Sequence, residues 1–400
     1  NDRLKAEGRE IKKLEIALLD SSSYQKRTIS PFRFDTVGSY LRPQELKDAR
    51  SQFASGQISR DDLTKIEDRC IIDLIKKEEQ LGVQVVTDGE FRRSWWHLDF
   101  LWGFNGIEKA QSKEGYKFHD EETRAETIKI IGKVNGNNHP FIEHFKFTLS
   151  HASSNVQVKQ TLPSPSQCVF EFQRPDCQES IKEHYESQED LISDFIEAYK
   201  QVVCDLYDAG CRIIQFDDCT WGTFADCIAH PEHAASLGFS TLSFNKTLMN
   251  KFVTINNNVI EDLPDDLIIQ THVCRGNYHS TWAATGGYET IADQLFTKEN
   301  VSAFFLEYDS DRSGGFEPLA KIPQGKCVVL GLITSKSGQL EDKQTIINRI
   351  YEAAKYVPLN NICLSTQCGF ASTEEGNILT EEQQWNKLKL IKEIAEEVWC

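Results

Sequence analysis

His272 and Cys274 stand two residues apart in Thr271-His272-Val273-Cys274, directly after the apolar run Leu267-Ile268-Ile269. In an extended chain, residues i and i+2 point to the same face, so an imidazole and a thiol lie side by side. Zn2+ takes that nitrogen and sulfur pair with near-tetrahedral geometry. Taken alone, the pair is equally a core thiol beside a histidine, because free cysteine is a common small buried residue. The rest of the chain adds to it, since polar residues recur where apolar runs end. Val37-Gly38-Ser39 closes on a hydroxyl, Asp88-Gly89-Glu90 on acids, and Gln215-Phe216-Asp217-Asp218 on two carboxylates. Phe305-Leu306-Glu307 closes on another acid, Thr334-Ser335-Lys336-Ser337 carries an amine, and Thr366-Gln367-Cys368-Gly369 carries a thiol.

Together these residues offer two chemistries. His272, Cys274, Glu307 and Cys368 fill four positions around a zinc ion, and the remaining hydroxyl and acids suit a ligand with a cationic group. Each also has an ordinary structural role. Glu90 and Asp217 could pair with Arg92 or Arg212, Cys368 could be a core thiol, and Glu307 could be a loop acid. The remaining histidines lack a strand-end position and read as surface residues. His230-Pro231-Glu232-His233 is interrupted by its proline, and Cys219 and Cys400 read as incidental. Shared placement at strand ends is what favours the site.

Those ends need a scaffold that gathers them. Eight apolar runs read as strands: Phe34–Tyr40, Val83–Glu90, Val156–Leu162, Cys211–Asp218, Leu267–Thr271, Ala303–Asp309, Lys326–Ile333 and Asn361–Phe370. Helical stretches separate most of them: one opened by Pro43, one opened by Ser59-Arg60-Asp61-Asp62, and others near 189–209, 225–237, 243–257 and 381–398. Residues 91–153 break the rhythm with Trp95, Trp96, Trp102 and alternating runs such as Thr127-Ile128-Lys129-Ile130, as a loop and small β insertion would. The expected fold is α/β, a (β/α)8 TIM barrel with that insertion after the second strand, whose C-terminal strand ends share one rim. A doubly wound open sheet would want a Gly-rich turn after the first strand, where only Gly38 is found. Residues 1–30 read as a charged leader, and 31–400 as the barrel with its insertion at about 91–153.

Composition limits the partners. The chain has 400 residues, 40% of them hydrophobic, with a net charge of -17. An acidic surface disfavours nucleic acid and anionic membranes, and neither a membrane span nor a signal-peptide core is legible. Twelve cysteines dispersed over such a length, with Cys204, Cys327 and Cys363 inside apolar elements, read as reduced thiols in a cytoplasmic protein. Oligomeric state is not legible.

Six of these strand-end motifs, all but Thr334-Ser335-Lys336-Ser337, in their order over residues 32–400 resemble the C-terminal catalytic barrel of cobalamin-independent methionine synthase, and most of all its short single-barrel members. The resemblance implies zinc held by His272, Cys274, Glu307 and Cys368. It also implies homocysteine held through its carboxylate and ammonium by Ser39, Glu90 and Asp217. The reaction implied is methyl transfer to the homocysteine thiol, giving methionine, from methyltetrahydrofolate or a simpler donor. Two departures stand out. The leader replaces the second barrel of the long members, and Lys336 replaces an acid histidine that protonates the folate leaving group. A lysine could do so only with a lowered pKa. Alternatives are a zinc alkyltransferase for another thiol and a zinc-stabilised binding barrel without turnover.

Overall fold

The computed structural model describes residues 27–237, 239 and 242–399; the charged leader expected at residues 1–30 lies outside them up to residue 26. The first long helix, Arg60–Leu81, is set by its ends. The Ser59 hydroxyl accepts the Asp62 N–H, the Asp62 carboxylate accepts the Ser59 N–H, and Gly82 closes the helix at φ 90°. Leu63, Ile71, Leu74 and Ile75 form its buried face, which carries the chain into β1 (Val85–Val86).

Among the described residues the strands are nine, in chain order β1, β2 (Asn105–Gln111), β3 (Glu126–Asn135), β4 (Gln157–Pro163), β5 (Ile213–Asp218), β6 (Ile268–Val273), β7 (Ala303–Glu307), β8 (Cys327–Ile333) and β9 (Ile362–Thr366). Seven form one parallel sheet in the order β1-β4-β5-β6-β7-β8-β9, and β2 and β3 pair antiparallel in a separate two-stranded sheet. Helices between successive parallel strands cover the outer face, so strands such as β8 are buried along their whole length and read as unbroken apolar runs.

Eight ladder strands are expected from the sequence; seven form. The Phe34–Tyr40 run makes one parallel bridge, Phe34 to Leu364 of β9. At its other end the Thr87 hydroxyl donates to the Gly38 carbonyl (2.6 Å) and the Tyr40 N–H to the Gly89 carbonyl (3.1 Å). The segment thus reaches from β9 to the end of β1, and the curled sheet is of TIM type with an irregular chain in the eighth position. The cause is local. The Asp35 carboxylate takes the Phe32 and Thr36 N–H groups, donors that a ladder would need, and Gly38 sits at φ 131°. Lys159, fully buried, donates to Asp35 (3.0 Å), to Gln215 (2.9 Å) and to the Thr36 carbonyl, fixing the segment inside the curl.

The stretch 91–153 holds more helix than its alternation predicts. Beside β2 and β3 it contains Leu98–Trp102 and Pro140–His151. The second begins with a proline in the first turn, its His139 ring accepting the Phe141 N–H, and buries Phe141, Phe145 and Thr148 at helical spacing. Proline also opens the helix Pro165–Phe172, directly after β4.

Candidate metal centre

His272 is the fifth residue of β6 and Cys274 the first beyond it; Glu307 ends β7, and Cys368 lies two residues past β9. Parallel register aligns these ends: His272 is opposite Asp217 on one side and Phe305 on the other. The four side chains converge. One donor atom from each of His272, Cys274, Glu307 and Cys368 lies within 4.8 Å of the rest, and all four residues are buried. The two sulfurs are 3.8 Å apart. Backbone groups orient the set, the Arg275 N–H donating to Glu307 Oε1 (3.1 Å) and the Gly276 N–H to Cys274 Sγ (3.3 Å).

The cluster is polar and unsatisfied. Neither ring nitrogen of His272 has a hydrogen-bond partner, and Glu307 Oε2 has only the Arg312 guanidinium at 3.6 Å. Burying such groups without partners is costly, and a shared cation relieves all of them at once. The Cys219 thiol, then burial, push Cys274 well above the usual thiol range; Cys274, then burial, do the same to Cys368. A coordinated cation has the opposite effect and deprotonates a thiol outright. Two thiols, an imidazole and a carboxylate at this spacing fit a zinc ion.

Ser39, Glu90 and Asp217 line one cavity with His272, Cys274 and Cys368. Phe370 N–H donates to the Ser39 carbonyl (3.0 Å), and a Cβ on Gly369 would stand 1.9 Å from Ser39 Oγ, so only glycine admits the serine there. Glu90 is held at φ 63°, a left-handed backbone rare for a residue with a side chain. Its Oε1 accepts from Thr161 (2.8 Å) and lies 3.3 Å from Arg93, while Oε2 has no partner. Burial raises the Glu90 pKa, with Arg93 opposing. Burial, then the negative field of Glu90, push Asp217 well above the carboxylate range. Asp218 turns the other way, as strand alternation requires, and accepts from Ser166 (2.9 Å) and the Thr220 N–H (2.8 Å). The alternative ion pairs do not form: Arg92 goes to Glu67 and Asp68, and Arg212 to Asp266.

Lys336 is not brought to this cavity. Beyond β8, whose pairing with β9 is irregular between Gly331 and Ile333, its ammonium is held by Asp309 at 3.3 Å. It lies outside the cavity lining. Among the cavity residues not chosen from the sequence, Cys219, read there as incidental, lies beside Cys274, and His97 and Tyr116 meet Glu171. His97 and His139 are 3% and 1% exposed, not surface residues. The aromatic run Trp95-Trp96-His97 after Glu90 was the available signal. Cys204, placed inside an apolar helix by sequence, is exposed. His230, Glu232 and His233 form another group of close donors, none of them buried.

No described helix is long and apolar enough to cross a membrane. Residues 32–397 match the family model of the cobalamin-independent synthase catalytic domain. An uncharacterized protein of Bacillus subtilis (strain 168), YxjH, is 44% identical over 376 residues, covering 94% of this chain and 97% of that protein. A crystal structure of a putative vitamin-B12 independent methionine synthase from Listeria monocytogenes superposes with TM-score 0.72 at 33% identity, covering 94% of this chain and all of that one. A B12-independent methionine synthase from Shewanella sp. W3-18-1, solved with selenomethionine, gives TM-score 0.66 at 21% identity over 92% of this chain and 97% of that one, a likeness of fold.

Proposed function

Because this chain belongs to the cobalamin-independent methionine synthase family, we propose that it transfers a methyl group to the thiol of homocysteine, forming methionine, with methyltetrahydrofolate or a simpler compound as donor. The observation that carries the reading is one cavity lined by members of a buried His272–Cys274–Glu307–Cys368 donor set together with the two acids Glu90 and Asp217. Zinc held by those four residues would supply a thiolate at neutral pH, the nucleophile that methyl transfer needs.

The protein side chains do the rest. The unpartnered Glu90 Oε2 and the Asp217 carboxylate accept the ammonium of an amino-acid substrate, a cation that offsets their mutual repulsion. Ser39 adds a hydroxyl beside the Gly369 backbone for the substrate carboxylate. Fixing both ends of the amino-acid moiety orients the thiol toward Cys274 and Cys368, so the reaction gains from position as well as charge. A thiol without an ammonium would leave Glu90 Oε2 and Asp217 without the cation that offsets their repulsion, which favours homocysteine over a simple alkyl thiol.

The test is metal content of protein purified under reducing conditions, followed by methionine formation from homocysteine with methyltetrahydrofolate monoglutamate. The expected result is stoichiometric zinc with turnover, and loss of both on Cys368→Ser. Zinc without turnover would move the assignment to another donor; protein free of zinc would end it.

A further inference from the structure

The proline of His230-Pro231-Glu232-His233, which forbids a helical ligand spacing, is what gathers these side chains. The helix Thr220–Ala229 ends where the His230 N–H donates to the Asp226 carbonyl (2.7 Å). Pro231 turns the chain, and the His233 N–H donates back to the His230 carbonyl (2.9 Å) as the short helix His233–Ser236 begins. One donor atom from each of His230, Glu232 and His233 lies within 4.8 Å of the others. We propose that these three side chains bind a zinc ion of their own, separate from the cluster in the cavity, whose lining includes none of them.

Glu232 Oε1 stands 3.7 Å from His230 Nδ1 and 3.9 Å from His233 Nε2. Those gaps are too wide for hydrogen bonds, so the three groups do not satisfy one another. They match the spacing of ligands around one ion, since donors each about 2 Å from zinc stand roughly 3–4 Å apart. His233 is also oriented as a ligand. Its Nδ1 lies 2.8 Å from Asp226 Oδ2. A carboxylate only accepts, so Nδ1 carries the hydrogen and Nε2 keeps the lone pair on the side of Glu232. Asp226 is buried, and its Oδ1 accepts from the Thr285 N–H (3.1 Å) and hydroxyl (2.9 Å). A fixed carboxylate behind an imidazole sets the tautomer and raises the basicity of a metal-binding nitrogen. An Asp226–His233 ion pair accounts for His233, but not for the approach of His230 and Glu232 to the far side of its ring.

Two imidazoles and one carboxylate select zinc over calcium or magnesium, which take oxygen ligands. Three protein ligands leave the fourth position to water. The side chains of His230, Glu232 and His233 are 51, 70 and 44% exposed, so an ion reaches them from solvent and exchanges with it. Its place in the chain gives the ion a structural role. The Leu237 N–H donates to the His233 carbonyl (3.0 Å) and the Phe239 N–H to the Ala234 carbonyl (2.8 Å), and Phe239 stacks on Phe170 at 3.9 Å. Leu237, Phe239 and Phe170 all line the cavity. Zinc at His230, Glu232 and His233 braces the turn that carries this wall, without touching the substrate.

The deciding experiment is equilibrium dialysis of the tag-free protein against micromolar zinc under reducing conditions, with metal counted per chain. Wild type should hold one ion more than His233→Ala. Cys368→Ser, which removes a donor of the cavity cluster, should still take up one ion from the zinc supplied, and the double variant Cys368→Ser/His233→Ala none. Equal counts in wild type and His233→Ala overturn the assignment, as does a Cys368→Ser protein that takes up no zinc. Should His233→Ala fail to fold, Glu232→Gln alters the most exposed of the three side chains and should lose the same ion; a Glu232→Gln count equal to wild type overturns the assignment equally. The outcome is separate from that of the methyl-transfer reading: a cavity cluster that binds no zinc leaves wild type with one ion and His233→Ala with none.

Discussion

Asp217 and Glu90 are two carboxylates that the fold makes difficult to ionise together, through burial and their mutual repulsion. Their raised pKa values give homocysteine binding a pH dependence with a definite sign. Below the raised values the pair carries a proton that an incoming ammonium must expel; above them it does not. The KM for homocysteine should therefore fall as pH rises through those raised values. Asp217→Asn should flatten that dependence and raise KM about tenfold or more, the scale of one charge-assisted hydrogen bond, while zinc content stays at the wild-type level. Steady-state kinetics over a pH series, with metal analysis of the same preparations, checks both parts. Equal loss of zinc and substrate affinity would mean that Asp217 supports the metal cluster instead.

The element on which the site most depends is the irregular segment from Phe34 to Tyr40. It has one ladder bridge, so its position comes from side chains, above all the fully buried Lys159–Asp35 pair. Removing one partner of such a pair strands the other charge in the interior, at a cost of about 3–5 kcal/mol. Lys159→Met should destabilise the protein by that amount in denaturant titration, and folded variant protein should show a raised homocysteine KM because Ser39 sits on the same segment. Most neighbouring elements were legible in the sequence. The capping box at Ser59 and Asp62 opens its helix where the pattern placed it, and the left-handed Gly82 closes it. The helix Pro140–His151 was missed because the alternation of the preceding hairpin was read past its end, although Phe141 and Phe145 carry helical spacing.

At the scale of the whole molecule, burying carboxyl groups makes stability depend on pH. Glu299 is fully buried, and burial, then the charge of Asp218, raise its pKa from 4.5 to about 8. The unfolded chain ionises this group near 4.5, whereas the folded state holds its proton until about 8. Between those values the unfolded state binds fewer protons, so this group's contribution to stability declines as pH rises and levels off above the folded value. Glu299→Gln should remove that decline. Thermal unfolding across the interval, wild type against variant, should show curves converging at the acid end and the variant ahead at the alkaline end. Parallel curves would show that Glu299 keeps an ordinary pKa.

The sequence by itself determined which residue types stand at strand ends, because alternation and apolar runs are local properties of the chain and parallel strands with helical crossovers follow from them. His272, Cys274, Glu307 and Cys368 were identified that way, and the fold brings their donor atoms together. Tertiary structure decided what each strand-end group faces. Lys336 turns to Asp309, Arg92 and Arg212 find partners other than Glu90 and Asp217, and the first strand gives up its ladder to the Asp35 side chain. It also decided that His97, Tyr116 and Glu171, separated by up to 74 residues in the chain, meet at one wall of the cavity. The reason is physical. A backbone period reports the face on which a residue lies, but charge pairing and burial depend on distances between elements, and no local pattern carries those distances.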